Sequence, residues 1–278
     1  MASNSMFQVM NDRGWRAGLS NLTRKENRDW WGTRTWLLQG LTWLFIIDGL
    51  VLMIIFVSSA PSLQVGADPE TVRVLADKMT VPLEKFFEIA GIALAIGVVI
   101  LAQDEIIGEK RTGTAAWILS KPVSRSSFVL SKFIGNVPGI GVLMVLLPGA
   151  VVYLMVSIYR GDPVPVWGFL GGLAALFLSL LFFLELTVML GVLSNSRGVV
   201  LGIPLAFALL YLILGKFFSE AHEFLPQALT SASDETPAVA AALALGQPLS
   251  SFMPIVASAA WIVLFVGIAI WRFQREEV

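Results

Sequence analysis

Val166-Trp167-Gly168-Phe169-Leu170-Gly171-Gly172-Leu173-Ala174-Ala175-Leu176-Phe177-Leu178-Ser179-Leu180-Leu181-Phe182-Phe183-Leu184-Glu185-Leu186-Thr187-Val188-Met189-Leu190-Gly191-Val192-Leu193 is a run of 28 residues that carries one charge, Glu185. A helix rises ~1.5 Å per residue, so ~20 mainly apolar residues cross the ~30 Å hydrocarbon core of a bilayer. The run is long enough to span, and it does not stand alone. Trp36–Ser58, Phe86–Ala102, Phe133–Ser157, Gly198–Gly215 and Met253–Trp271 have the same character, with Gln39 and Asp48 interrupting the first. Lipid offers no partner for free backbone N–H and C=O groups, so six such runs predict six transmembrane helices. Composition agrees. Apolar residues make up 56% of the 278 and charged residues 14%, against roughly 45–50% and roughly 25% in soluble domains. An ordinary soluble enzyme is excluded. With no cysteine, so are disulfides, thiolate metal sites and cysteine nucleophiles. A net charge of −1 gives no indication of nucleic-acid binding.

Orientation is read from Lys and Arg. The first 35 residues hold Arg13, Arg16, Arg24, Lys25, Arg28 and Arg34, and the segment between spans two and three holds Lys110, Arg111, Lys121, Arg125 and Lys132. Arg197, Arg272 and Arg275 fall on the same side, whereas Arg73, Lys78, Lys85, Arg160 and Lys216 fall on the other. The bias places both termini in the cytoplasm. The expected organisation is a cytoplasmic segment over 1–35, a permease-like helical domain over 36–271 and a cytoplasmic tail over 272–278. The first apolar run is too long for the core of a cleavable signal, so span one is expected to be an uncleaved anchor.

The segments outside the spans carry their own signals. Gly18–Thr35 reads as a basic amphipathic helix, with Leu19 and Leu22 on one face and Arg24, Lys25 and Arg28 on the other. Trp30, Trp31 and Trp36 cluster where the chain meets the bilayer, as interfacial aromatics do. An elbow helix on the inner leaflet is expected. On the outer side, Asp68-Pro69-Glu70 is a helix start, with Val72, Leu75 and Met79 on one face before Pro82. Within Ser219–Phe252, Thr236-Pro237, the apolar run Ala238–Leu245 and Gly246 predict a short helix. It cannot span, and is expected to serve as a gate or as a lid over the spans. The sole histidine, His222, is expected to be a solvated outer-loop residue.

The cytoplasmic loop over 103–132 is the most informative part. It reads as a helix bearing Glu105 and Glu109, a stop at Gly113, a short helix capped by Thr114 that presents Trp117 and Ile118, and a break at Pro122. Ser124 then caps the helix that becomes span three. A short, partly apolar helix held below the membrane between two long spans is suited to passing force between a cytoplasmic partner and those spans.

This loop resembles that of the permease subunits of ABC-2 type transporters, bacterial branch with a separate ATP-binding subunit, which includes permeases of the nitrous-oxide-reductase maturation type. The resemblance is carried by Glu109, Gly113-Thr114, Trp117–Leu119, Pro122, Ser124-Arg125 and Lys132, and by Arg24-Lys25-Glu26 ahead of span one. Asn27 stands where the family often has Leu, and the outer loops match no family pattern, so the resemblance names no substrate. It implies two permease subunits, identical or paralogous, around a pathway, and two copies of an ATPase docked through a surface comprising Glu105, Glu109, Arg111, Gly113, Thr114, Trp117, Pro122 and Arg125. It also implies a prokaryotic cell membrane and export. No phosphate-binding loop of the form G-x-x-x-x-G-K-[ST] occurs in the chain, so no cofactor is expected on it. ATP and Mg are expected on the partner, and the chain is not expected to be an enzyme by itself.

Two acids lie within spans. Asp48 is 12 residues and Glu185 eight residues from the inner ends of theirs, or ~18 and ~12 Å. They are expected either to line the pathway, where they would meet a cation or proton, or to be protonated and bonded to Thr42, Ser179 or Thr187. Gly135-x-x-x-Gly139, Gly168-x-x-x-Gly172 and Gly198-x-x-x-Gly202 permit close helix approach, more within a subunit than between subunits. Three other classes compete. A proton-coupled secondary transporter would use Asp48 and Glu185 but leave the basic loop without a purpose. An intramembrane hydrolase would need a catalytic cluster that one histidine does not supply. An ATPase-coupled scaffold would share the docking chemistry.

Overall fold

The computed structural model of the chain describes residues 14–59, 77–214, 221–233 and 236–276. It is all-helical, 81% helix, with no strand among the described residues. In chain order the helices are α1 (Leu19–Trp31), α2 (Thr35–Ser59), α3 (Thr80–Ala102), α4 (Ile107–Arg111), α5 (Thr114–Leu119), α6 (Arg125–Arg160), α7 (Val166–Leu193), α8 (Arg197–Leu214), α9 (Val239–Leu245) and α10 (Met253–Gln274). α2, α3, α6, α7 and α10 are long and apolar enough to cross a membrane. α8, the expected fifth span, is shorter among the described residues.

α7 reproduces the quoted 28-residue run to the residue. It is the central helix and packs against α3, α8, α9 and α10. Its apolar window is 78% buried, against 33% for α2 and α10, whose outer faces keep large apolar side chains on the surface, as lipid-facing helices do. α3 begins at Thr80, six residues before the expected Phe86, because Pro82 falls in the first turn, where a missing N–H costs nothing. The expected Asp68–Pro82 helix lies largely outside the described residues; Met79 is in a turn. α10 runs to Gln274, so the expected tail begins as helix.

Two spans contain π-helical turns, over Leu44–Asp48 in α2 and Ile140–Leu146 in α6. The second is flanked by Pro138 and Pro148, which remove two intrahelical donors. α6 is 36 residues long, ~54 Å, so its first turns extend beyond a bilayer core.

α9 ends at Gly246 in the left-handed region and lies on α7. A Cβ at Gly168 or Gly172 would meet the carbonyls of Leu243 or Ala240. The two helices are thus seated closely together, with most of α9 buried. His222 is 3% exposed, a correction to the expected solvated residue: the 221–233 segment folds inward and Gln227 donates to the Phe207 carbonyl at 3.3 Å.

Candidate functional site

The site is the layer where α1, the 103–124 loop and the start of α6 meet. α1 turns a stripe of Leu22, Glu26 and Trp30, spaced by four, onto α6. It approaches closely because α6 presents Gly135 and Gly139: a Cβ there would overlap Glu26 and the Trp30 ring. This Gly-x-x-x-Gly pair therefore packs within the subunit. The Trp30 indole N–H donates to Asn136 Oδ1 at 2.7 Å, and Asn136 Nδ2 donates to the Lys132 carbonyl at 2.7 Å. One face of the amphipathic helix is thus part of the core. The chain before it is held by Ser124 and Ser127, whose hydroxyls both donate to the Trp15 carbonyl.

At the centre is Lys132, whose side chain is 2% exposed. Its ammonium lies 2.9 Å from Glu26, 2.8 Å from Glu109 and 3.5 Å from Glu105. Lys25 reaches Glu26 at 3.1 Å and Glu109 at 2.5 Å. Two cations and three carboxylates therefore join three segments of chain, in a loop layer outside the spans. Burial alone would pull the Lys132 ammonium down, but the surrounding carboxylates outweigh it and hold it above the ordinary lysine value. Burial also works against Glu109, yet Lys132 and Lys25 hold its carboxyl below the usual range. Glu105 is the surplus carboxylate: burial pushes it up to about 7, with Lys132 opposing. Leaving any one member unpartnered would strand buried charge, which typically costs ~3–5 kcal/mol.

The loop turns on Gly113, with φ of 72°, a conformation that glycine adopts without Cβ strain. α5 follows, but Thr114 does not cap it. The N-cap is Gly113, and the Thr114 hydroxyl instead pairs with Thr112 at 2.9 Å. Ile118 is a second correction. It is buried, 6% exposed, together with Ala115, so α5 shows only one apolar face to the loop layer. Trp117 points outward, 62% exposed, with the Lys121 ammonium 3.2 Å from its ring centroid. Gly113 and Pro122 are exposed beside it. As expected, Ser124 caps α6 by accepting from the Ser127 N–H at 3.0 Å.

The residues expected at one docking surface therefore divide. Glu105 and Glu109 face inward to Lys132. Arg111 donates to the Asn195 carbonyl at 3.1 Å, and Arg125 to the Gln274 carbonyl at 2.7 Å. Lys110 reaches the Val192 carbonyl at the end of α7 and Glu276 beyond α10, at 3.1 and 2.9 Å, placing positive charge at a helix C-terminus. Phe128 and Phe273 stack at 5.0 Å. The loop thus touches the N-terminal end of α6 and the C-terminal ends of α7 and α10 at once. Lys132 was visible in the sequence only through a loop pattern and the charge bias, Lys110 only through the charge bias, and Asn136 and Gln274 not at all. A lysine two turns into an apolar helix was the available signal.

Asp48 and Glu185 are not brought to one described cavity. Asp48 sits in the π turn of α2, which packs on α3 and the C-terminal half of α6, and Glu185 lies in α7. Both are buried, and no carboxylate oxygen of either has a hydrogen-bond partner. The Thr187 hydroxyl donates instead to the Phe183 carbonyl. No group of three or more metal-binding side chains occurs among the described residues.

These features define a multi-pass helical membrane protein whose loop layer is rigidly tied to its spans. The model of the ABC-2 family transporter proteins matches residues 20–278, and the chain belongs to that family. No curated protein matches it.

Proposed function

We propose that this chain is the permease subunit of an ATP-driven ABC-2 exporter in a prokaryotic cell membrane, with six spans and both termini cytoplasmic. Two permease subunits enclose the pathway, and each docks a separate ATPase, which carries ATP and Mg. The observation that carries this reading is α5: a short helix with an exposed tryptophan, fixed to three long helices through the Lys132 cluster and Lys110. An apolar side chain standing free on a rigid loop is what a partner needs to grip. When the ATPase pair closes, a push on Trp117 passes through Glu109 and Lys132 to α6 and through Lys110 to α7. α1, bound to the same lysine, moves with them. Asp48 and Glu185 are proposed to face the pathway in at least one of its states, since a buried carboxyl without a partner in one state finds one in another. Family membership implies association with an ATP-binding subunit and weighs against the ion-coupled alternative. Co-purification of the tagged full chain with its ATPase tests the reading. Trp117→Glu is expected to abolish association in a folded protein; retained association would overturn it.

A further inference from the structure

α1 has a third face, neither buried nor explained by the cluster. Beside the Leu22–Glu26–Trp30 stripe lies a groove of about 890 Å³, walled on the far side by Ile134 of α6. Three guanidinium side chains line it, Arg16, Arg24 and Arg28. None takes part in any ion pair among the described residues. Helical periodicity explains the sorting. At 100° per residue, positions 24, 28 and 31 fall opposite the buried stripe, and Lys25 and Asp29 to one side of it. Glu26, the remaining acid of the helix, is consumed by Lys132. The groove therefore has three cations and no carboxylate on its wall.

Its other features are those of an amphiphile site. Thr23 lines it as well, with its hydroxyl buried and without a hydrogen-bond partner. Ile134, 40% exposed, and Trp31, also 40% exposed, give it an apolar edge that continues up the lipid-facing side of α6. A soluble anion would use the arginines and leave this edge wet. A headgroup phosphate with its acyl chains uses both.

We propose that this groove binds the phosphate headgroup of an anionic phospholipid, with the acyl chains lying along Ile134. The inference rests on the reading that α1 lies at the cytoplasmic membrane face. It adds a regulatory consequence: Glu26 and the groove share one helix, so lipid bound on one face stabilises the helix whose other face holds Lys132.

Native mass spectrometry of the purified, delipidated full chain, titrated with phosphatidylglycerol, phosphatidylcholine or inorganic phosphate, tests it. Phosphatidylglycerol is expected to bind at least fivefold more tightly than phosphatidylcholine. Each arginine near an anionic headgroup contributes on the order of fivefold, so Arg24→Gln and Arg28→Gln combined are expected to erase the preference. Both side chains are exposed, which keeps the variant foldable. Ile134→Glu, which leaves the arginines in place, is expected to weaken phosphatidylglycerol as well. Equal affinity for the two lipids, an unchanged preference in the double variant, or full displacement by millimolar inorganic phosphate would each overturn the proposal. No ATPase enters this assay, so its failure is distinct from failure to recruit a partner.

Discussion

The molecule buries acid side chains in two places and treats them oppositely. Below the spans, Glu26, Glu105 and Glu109 surround Lys132, and each has an ion-pair partner. Within the spans, Asp48 and Glu185 are buried, and no carboxylate oxygen of either has a hydrogen-bond partner. Both are expensive arrangements, and they serve different ends. A paired cluster is a joint: it fixes three segments relative to one another and resists being pulled apart. A buried carboxyl without a partner costs desolvation and offsets none of it within the fold.

The comparison breaks most visibly at Lys132. Lys132→Ala leaves Glu105 without a cation and Glu26 and Glu109 with Lys25 alone, and an unfolding free energy lower by ~3–5 kcal/mol is expected, read as a fall in thermal midpoint in detergent. Gly139→Leu attacks the same joint sterically by displacing Trp30; a loss of ~1–3 kcal/mol is expected from overpacking. Glu105 sharpens the picture through pH. Its folded value, about 7, lies above its ordinary 4.5, so the folded state holds that proton more tightly and its relative stability falls as pH rises from about 4.5 to 7. The wild type is expected to lose a few degrees of thermal midpoint between pH 5.5 and 8 relative to Glu105→Gln. Glu185→Gln and Asp48→Asn, by contrast, should leave the midpoint unchanged or raised, since a neutral isostere removes a desolvation cost. They should still lower substrate-stimulated ATP turnover of the assembled transporter.

The spans were legible because length and hydropathy suffice to define them; Val166–Leu193 needed nothing else. Their ends were less so where charge interrupts a helix. Glu84, Lys85 and Glu88 hid the first turns of α3, although a helix accommodates them at its exposed end. The loop was read correctly in its breaks, since Gly113 and Pro122 act locally, and wrongly in Ile118, whose burial depends on neighbours remote in sequence. The cluster was not legible at all. Glu26 and Lys132 are 106 residues apart, and no periodicity links them. Only the glycines at 135 and 139 hinted that something would come close.

The central claim is that α5, carried by the Lys132 joint, is where an ATPase grips this chain. Its most direct test is the ATPase activity that co-purifies with the tagged chain when the candidate ATPase subunit is co-expressed. The account predicts robust basal activity, without added substrate, with wild type and with Glu185→Gln, and a loss of at least tenfold with Trp117→Glu at unchanged thermal midpoint. Undiminished activity with Trp117→Glu, or none with the wild type, would contradict it.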